Sequence, residues 1–282
     1  MSILDMIKDF NVKKANMREN DDSAQVRSST LLTDCTDFIA KEAYKTARTN
    51  IRFSLSAGKG CKKIIFTSAS PGEGKTTTCL NLAIAFAQTN AKVLIIDADL
   101  RKPRLYRHLL IERENGLSDL LCGLIEVKDA IKHCERHNLD CITSGQIPPN
   151  PAELLSSKEF ELLLEELGTI YDYIFVDTPP VTVVTEAAAM AKCASGVVLV
   201  VRQNSTIHES IERALSNLEM TNAKVLGFIL NGVDEGAYGY KVYGQKYRRY
   251  GGYGDDSYDT GAYTYGDKSR RRKSKESKKS TK

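Results

Sequence analysis

The chain of 282 residues lacks the features of secreted, disulfide-stabilised and membrane-spanning proteins. Its seven cysteines are odd in number, show no Cys-x-x-Cys spacing and follow no signal peptide. No apolar run approaches the ~18 residues that a transmembrane helix requires. We therefore expect a cytoplasmic protein whose cysteines are reduced and serve as small core residues among apolar neighbours.

Positive charge is scarce outside the end of the chain. The net charge is +4, yet the last fifteen residues hold nine Lys or Arg against one Glu, so the remainder is mildly acidic. This distribution gives no sign of a nucleic-acid groove in the body of the protein. The length allows one α/β domain with tails, or at most two domains.

The segment from Ile64 to Thr77 passes from an apolar run through a Pro-Gly turn into a helix of small residues. Ala69–Thr76 has the pattern of a Walker A loop, with Ala in place of the first Gly. Its later glycines let backbone N–H groups surround an anion, and the following helix points its positive end at phosphates. Lys75 supplies charge for the β- and γ-phosphates, and the Thr76 hydroxyl is placed to bind Mg²⁺. The candidate nucleotide-binding residues here are Gly72, Glu73, Gly74, Lys75, Thr76 and Thr77.

Two other interpretations of this loop were considered. A Rossmann dinucleotide loop needs a third Gly where Thr77 stands, and it has no use for Gly-Lys-Thr. A loop without function is the second alternative, and the strand–loop–helix context argues against it. We therefore predict a nucleoside triphosphate site.

Two further buried strands are predicted to end in carboxylates. Lys92–Asp97 leads into Asp99 and Arg101, and Tyr173–Asp177 has the form of a Walker B strand. An extended chain directs Asp97, Asp99 and Arg101 the same way. A right-handed βαβ crossover brings the strand ends beside Lys75, where carboxylates hold Mg²⁺ through water and orient or deprotonate a hydroxyl. An Asp about twenty residues beyond a Gly loop could instead bind an NAD ribose, but the second Asp and the Arg argue against it.

Periodicity and composition indicate the remaining elements. His133 and His137 resemble a metal pair but lack the HExxH arrangement, so we interpret them as surface residues. Asn231, at the end of the last predicted strand, either faces the base of a nucleotide or belongs to a plain turn. We predict helices at Phe38–Phe53, Leu117–Cys122, Val127–His133 and Glu153–Leu167, and strands at Cys141–Gly145, Val197–Val201 and Val225–Leu230.

The N-terminal part of the chain has two features of interest. An apolar helical face at Ile3, Leu4, Ile7 and Phe10 could cover the domain edge or dock on a partner or membrane, and a polar linker follows. Within the helix predicted at Phe38–Phe53, three charged residues share one flank. They could contact another subunit or form an ordinary solvated face. The three residues are Glu42, Lys45 and Arg48.

The composition changes abruptly beyond Asp234. Nine tyrosines are interleaved with Gly, Asp, Lys and Arg, and almost no aliphatic residue accompanies them, so we expect a flexible segment. Some of the tyrosines could lie along one face of a helix or stack on single-stranded nucleic acid, although we favour their role as phosphate acceptors. The nine are Tyr238, Tyr240, Tyr243, Tyr247, Tyr250, Tyr253, Tyr258, Tyr263 and Tyr265.

Together these motifs resemble the bacterial tyrosine kinases (BY-kinases) of capsule and exopolysaccharide synthesis, specifically their separate cytoplasmic kinase subunit. Lys75-Thr76 matches the family's Walker A motif, Asp97-x-Asp99-x-Arg101 its second Walker element, and Asp177 its Walker B motif. The terminal tyrosines match its autophosphorylation sites. Glu42-x-x-Lys45-x-x-Arg48 matches its ring-forming Glu-x-x-Arg-x-x-Arg helix, except that Lys45 cannot make the bidentate contact of an Arg. Eukaryotic kinase signatures are absent from the sequence.

The resemblance implies a P-loop NTPase fold with a mostly parallel central sheet flanked by helices, followed by a disordered tail. It implies autophosphorylation in trans with ATP and Mg²⁺, catalytic residues Lys75, Asp97, Asp99 and Asp177, and metal ligands Thr76, Asp99 and Asp177. It further implies a ring-like homo-oligomer, protein substrates of polysaccharide synthesis, no nucleic-acid partner, and recruitment to the inner membrane face by a transmembrane activator of the chain-length-determinant type. The corresponding divisions are residues 1–36, 37–235 and 236–282. A partitioning or septum-positioning ATPase and a non-catalytic adaptor with a tyrosine-rich tail remain the alternatives.

Overall fold

The computed structural model describes residues 31–33, 35–56, 60–184 and 186–233. Its strands are β1 (Lys62–Ser68), β2 (Val93–Asp97), β3 (Ile131–Cys134), β4 (Leu139–Ile142), β5 (Tyr173–Asp177), β6 (Gly196–Arg202) and β7 (Val225–Asn231). They form one sheet in the order β3-β4-β2-β5-β1-β6-β7. Every pairing is parallel except that of β3 with β4. The predicted P-loop fold with a mostly parallel sheet is confirmed.

Helices cover both faces of this sheet. They are α1 (Phe38–Ser54), α2 (Lys75–Ala87), α3 (Leu105–Leu109), α4 (Leu117–Leu121), α5 (Val127–Ala130), α6 (Pro151–Leu155), α7 (Lys158–Leu167), α8 (Glu186–Met190) and α9 (His208–Glu219), with 3₁₀ turns at Glu135–His137 and Ala191–Cys193. Successive side chains of a strand point to opposite faces, so the buried residues form two clusters. One cluster packs under α1, α2 and α3, and the other packs under α4 to α9. None of the helices in these described ranges is long and apolar enough to span a membrane.

Strand β2 is buried along its whole length, and β1 and β5 are buried except for partly exposed residues at their starts. Ile64 and Phe66 of β1 face the α2 side, where Phe66 stacks on Phe175 at 5.6 Å between ring centroids. Phe86 of α2 meets Phe175 edge-on at 5.2 Å. Such aromatic contacts add to the hydrophobic gain of burial. They fix α2, and with it the Walker A loop, against the middle of the sheet.

Three predicted elements are wrong in extent. The helix predicted at Val127–His133 ends at Ala130, because Ile131 is extended and begins β3, which pairs with β4. The strand predicted at Cys141–Gly145 begins earlier, at Leu139, after Asn138 turns the chain with φ of +49°. It also ends earlier, at Ile142.

The helix predicted at Glu153–Leu167 is divided into α6 and α7. Ser157 stands between them as the N-cap of α7, and its hydroxyl accepts the amide of Phe160. A Ser at this position favours a new helix start over continuation. The cysteine prediction is also partly wrong, because Cys35 and Cys122 are exposed while Cys79, Cys134 and Cys141 are buried.

Several sequence-based predictions lie outside the described residues. They concern the apolar face at Ile3, Leu4, Ile7 and Phe10, the linker that follows it, and all nine tail tyrosines. The predicted domain divisions remain predictions.

Candidate active site

The phosphate-binding loop, residues 69–76, joins β1 to α2. Gly72 and Gly74 have φ of +83° and +86°, a conformation that side chains with a Cβ rarely adopt. Gly74 is also the N-cap of α2, and a Cβ there would lie 2.0 Å from Nδ2 of Asn231. Conformation and lack of space both require glycine at this position.

Contacts from distant strands hold the loop in place. The Glu73 carboxylate is only 1% exposed and accepts the Ser70 amide at 2.9 Å and the Thr206 hydroxyl at 2.5 Å. Asn231 donates its amide Nδ2 to the backbone oxygen of Glu73 at 2.9 Å. Arg202 donates to the backbone oxygen of Gly72 at 3.2 Å. The loop is therefore built into the fold from the β6 and β7 side of the sheet.

Lys75 lies at the centre of a buried charge cluster. Its Nζ donates to Oδ1 of Asp177 at 2.7 Å and lies 3.8 Å from Oδ2 of Asp99. Burial alone would lower the pKa of Lys75, but the Asp177, Asp99 and Asp97 carboxylates outweigh it and raise that pKa. Lys75 therefore stays charged.

Asp97 and Asp177 are direct neighbours across the β2–β5 pairing. Burial and the Asp177 carboxylate raise the pKa of Asp97 to about 8. Its two oxygens accept the backbone amides of Asp99 at 3.3 Å and Leu105 at 3.1 Å. Burial likewise raises the pKa of Asp177, an effect that the Lys75 ammonium only partly offsets. At the carboxyl edge of the sheet, burial therefore disfavours the charged form of both carboxyl groups.

The donor set at this edge fits a hard divalent cation. Oδ2 of Asp177 is buried with no hydrogen-bond partner among the described residues. Burial raises the pKa of the Asp177 carboxyl, and the Lys75 ammonium and the Thr76 side chain partly offset that rise. Asp99, close to Lys75, adds a carboxylate on the cleft side. Carboxylate and hydroxyl oxygens are ligands that Mg²⁺ accepts.

A cleft of about 200 Å³ opens above the phosphate-binding loop. Gly72–Thr77 form its floor, and Asp99, Arg101, Lys102 and Arg104 lie on one side. Pro179, Pro180, Val183 and Val184 lie on another. Lys75, Thr76 and Asp99 thus line one cleft, while Asp97 and Asp177 are fully buried in the charge cluster around Lys75.

Some partners in the site could not be found from sequence. Glu186 is buried and accepts from Nε of Arg101 at 2.8 Å across 85 residues of sequence. Thr206 reaches Glu73 across 133 residues. No sequence motif indicates that Glu186 or Thr206 belongs to the site. Asn231 donates to the phosphate-binding loop, and its expected position facing a base stays a prediction.

The candidate assembly residues on α1 make contacts within the chain. Lys45 pairs with Glu42 at 2.7 Å, and Arg48 donates to the backbone oxygen of Ala85 at 2.5 Å. Their spacing therefore serves a helix pair and a helix–helix contact. Within the described ranges, neither histidine belongs to a group of three or more His, Cys, Asp or Glu side chains that could hold a metal. His133 pairs with Asp140 at 2.7 Å.

Comparison with known proteins agrees with this geometry. The family model described as an AAA domain matches residues 61–225. Tyrosine-protein kinase YwqD of Bacillus subtilis is 41% identical over 216 residues, which cover 77% of this chain and 90% of that protein. Tyrosine-protein kinase wzc of Salmonella typhimurium is 38% identical over 208 residues, 73% of this chain but 28% of that longer protein.

Among solved structures, the kinase domain of the Escherichia coli tyrosine kinase ETK superposes with a TM-score of 0.68 at 33% identity. The superposition covers 79% of this chain and 80% of that domain. Both the sequence and the fold are therefore similar to those of tyrosine kinases.

Proposed function

This chain belongs to the family of bacterial tyrosine-protein kinases, and on that premise we propose that it transfers the γ-phosphate of ATP to tyrosines of its own C-terminal tail. The observation that carries the proposal is the meeting of Lys75, Asp99 and Asp177 in one charge cluster at the carboxyl edge of the sheet, with Asp97 next to Asp177. Its cellular role is the control of capsular or exopolysaccharide synthesis and export. Tail phosphorylation in trans modifies the tyrosines between Tyr238 and Tyr265.

The phosphate-binding loop positions the nucleotide. Backbone N–H groups around Gly72 and Gly74 bind the β- and γ-phosphates, while Glu73 holds the loop in shape. Lys75 neutralises charge on the transferred group, and Thr77 lies beside it in the cleft floor. Asn231, which supports the loop, places the end of β7 beside the nucleotide. Phosphoryl transfer depends mainly on such positioning and neutralisation.

Thr76, Asp99 and Asp177 would hold Mg²⁺, directly or through water. When bound, the ion neutralises charge on the β- and γ-phosphate oxygens. The phenolic oxygen forms a bond to the γ-phosphorus as the bond from that phosphorus to the bridging oxygen breaks, and the electron pair leaves with ADP. Asp97 orients or accepts the phenolic proton. Its pKa of about 8 lies near the working range of a general base.

The proposal includes partners and an arrangement of domains. Residues 37–235 form the kinase domain, between an N-terminal extension (1–36) and the tyrosine and basic tail (236–282). Unphosphorylated copies assemble into a ring through Glu42, Lys45 and Arg48. A transmembrane activator of the chain-length-determinant type recruits the protein to the inner membrane face. Proteins of polysaccharide synthesis are further substrates, and no nucleic acid is involved.

The test is incubation of the full chain with γ-labelled ATP and Mg²⁺, with an activator fragment present, followed by phosphoamino-acid analysis. Lys75→Met should abolish phosphotyrosine because it removes the charge that stabilises the transferred phosphate. Lys128→Met, at an exposed lysine paired with Glu126, is the matched control and should react normally. Release of inorganic phosphate without phosphotyrosine would favour the partitioning-type ATPase. Wild-type phosphotyrosine levels in Lys75→Met would overturn the site assignment.

A further inference from the structure

One side of the cleft mouth is strongly basic. Arg101, Lys102 and Arg104 lie on the loop after β2, and all three are exposed and line the cleft. Lys102 and Arg104 form no ion pair within the described ranges. The Nε of Arg101 is fixed by Glu186, which still leaves its terminal nitrogens able to donate. This basic rim can attract acidic groups that approach the transferred phosphate.

The other side of the mouth is an apolar wall with a fixed shape. Thr182 donates its hydroxyl to the backbone oxygen of Ala69, and the amide of Val181 donates to the oxygen of Ser68 at 3.0 Å. Asn217 donates to the oxygen of Val181 at 3.0 Å. The first two bonds hold Val181 and Thr182 against the start of the phosphate-binding loop. Val183, the next residue, nevertheless remains 61% exposed at the cleft. An exposed aliphatic surface beside a phosphate site suits an aromatic ring.

The tail offers tyrosines with opposite charged surroundings. Tyr258 is flanked by Asp255, Asp256 and Asp259. Tyr247, in contrast, lies between Lys246 and the pair Arg248-Arg249. A basic cleft mouth favours the first and repels the second.

We propose that the cleft mouth selects a tyrosine flanked by acidic residues, with the ring against Val183 and the flanking carboxylates on Lys102 and Arg104. Tyr258 is then the preferred acceptor of the tail. The inference rests on the proposed kinase function and adds its acceptor specificity. The wall selects a ring over a Ser or Thr side chain, and the rim reads the charge around it.

The test uses full-length proteins in both roles. The enzyme carries Phe at all nine tail tyrosines, so it cannot be modified there. The acceptor carries Lys75→Met and retains Tyr258 alone, either with its native aspartates or with Asp255→Lys, Asp256→Lys and Asp259→Lys. Initial rates below saturation give kcat/KM for each acceptor. We expect the native flanks to react about five- to tenfold faster, the effect of a few exposed charge pairs.

The second part of the test reverses the charge of the basic rim in the enzyme. Lys102→Glu with Arg104→Glu should invert the preference, so that the lysine-flanked acceptor reacts faster. Lys128→Glu, an exposed cation away from the cleft, should preserve it. If the reversed enzyme proves inactive, the wild-type preference should still shrink as ionic strength rises from about 0.05 to 0.5 M.

A separate pair of variants tests the apolar wall. Val183→Ser should raise the acceptor KM and leave the KM for ATP unchanged, while Leu124→Ser, at another exposed aliphatic residue, should alter neither. Equal rates for the two acceptors at low salt, or no inversion by an active reversed enzyme, would overturn the inference alone. No phosphotyrosine on any acceptor would overturn the proposed function itself.

Discussion

The ammonium of Lys75 lies 2.7 Å from a carboxylate oxygen of Asp177, and both groups are buried. One residue begins α2 and the other ends β5, 102 positions later. Burying an ion costs free energy unless the ion is paired, so each of the two charges offsets the cost of burying the other. To hold a phosphate, Lys75 must exchange part of this bond for one to the nucleotide. The carboxylate thereby released is the one with an unpartnered oxygen, suited to Mg²⁺.

Asn231→Asp should weaken nucleotide binding. The change replaces an amide donor by a carboxylate that faces the backbone oxygen of Glu73, so a hydrogen bond becomes a repulsion. Loss of such a contact is worth about 1–3 kcal/mol, and we expect the KM for ATP to rise by about tenfold or more. Steady-state kinetics at varied ATP provides the measurement. Asn50→Asp, on exposed α1, is the control, and an equal KM in the two variants would remove Asn231 from the loop's support.

The link between α7 and the Ala191–Cys193 turn should be sensitive to acid. Hydrogen bonds from Lys192 and Lys158 lower the pKa of Glu161 to about 2. A depressed carboxyl pKa adds stability above its unfolded value of about 4.3, and that stability is lost as the pH falls through 2. Glu161→Gln should therefore reduce the loss of thermal stability between pH 5 and pH 2, by a small amount because the pair is exposed.

Scanning calorimetry at low and high salt measures the Glu161 effect. Glu159→Gln is the matched control on the same helix. If the two variants respond alike to acid, the ion pairs of Glu161 contribute nothing to the pH dependence.

Glu42→Ala combined with Arg48→Ala should shift unphosphorylated protein toward monomer if α1 forms the assembly surface. Arg48 also contacts Ala85 within the chain, so the melting temperature must be recorded beside the sedimentation profile. Arg52→Ala, exposed on the same helix, controls for a general loss of charge. An unchanged sedimentation profile would leave the three residues with their intrachain contacts only.

Phosphorylation of the tail should end its own reaction. Each phosphate adds about −1.5 to −2 charges at neutral pH, and on the acceptor hydroxyl it would lie at the Asp97, Asp99 and Asp177 carboxylates rather than at the basic rim. A modified tail is therefore repelled, and the assembly loosens. Light scattering before and after MgATP should show wild type shrinking while the variant with nine Phe keeps its size, with the activator fragment present. Full phosphorylation without a change in size would refute release and leave the kinase assignment intact.

The Walker elements were predictable because each is local. A buried apolar run that ends in Asp can be predicted as a strand from its own residues alone, as is the case for Val93–Asp97 and Tyr173–Asp177. The known sense of βαβ crossovers then brings Asp97 and Asp177 together. The supports of the site were not predictable, because Glu186 and Thr206 act through pairings across long stretches of sequence.

The misplaced boundaries also have a physical cause. Ile131 is compatible with helix or strand, and the pairing of β3 with β4 decides for strand. Ser157 stands inside an amphipathic pattern that continues from α6 to α7. The periodicity therefore gave no sign of the break, which the capping hydroxyl determines.

Asn231, which lies beside Gly74, is also a fixed point from which the reach of the following chain can be bounded. The described part of the chain ends two residues after Asn231, which donates to the phosphate-binding loop. An extended chain spans at most ~3.6 Å per residue, so Tyr238 stays within about 25 Å of Asn231 and Tyr265 within about 120 Å. A tethered acceptor has a local concentration that dilution of the protein does not change, whereas a neighbour's acceptor becomes scarce on dilution. The order of the reaction in protein concentration therefore reports, tyrosine by tyrosine, whose cleft each one enters.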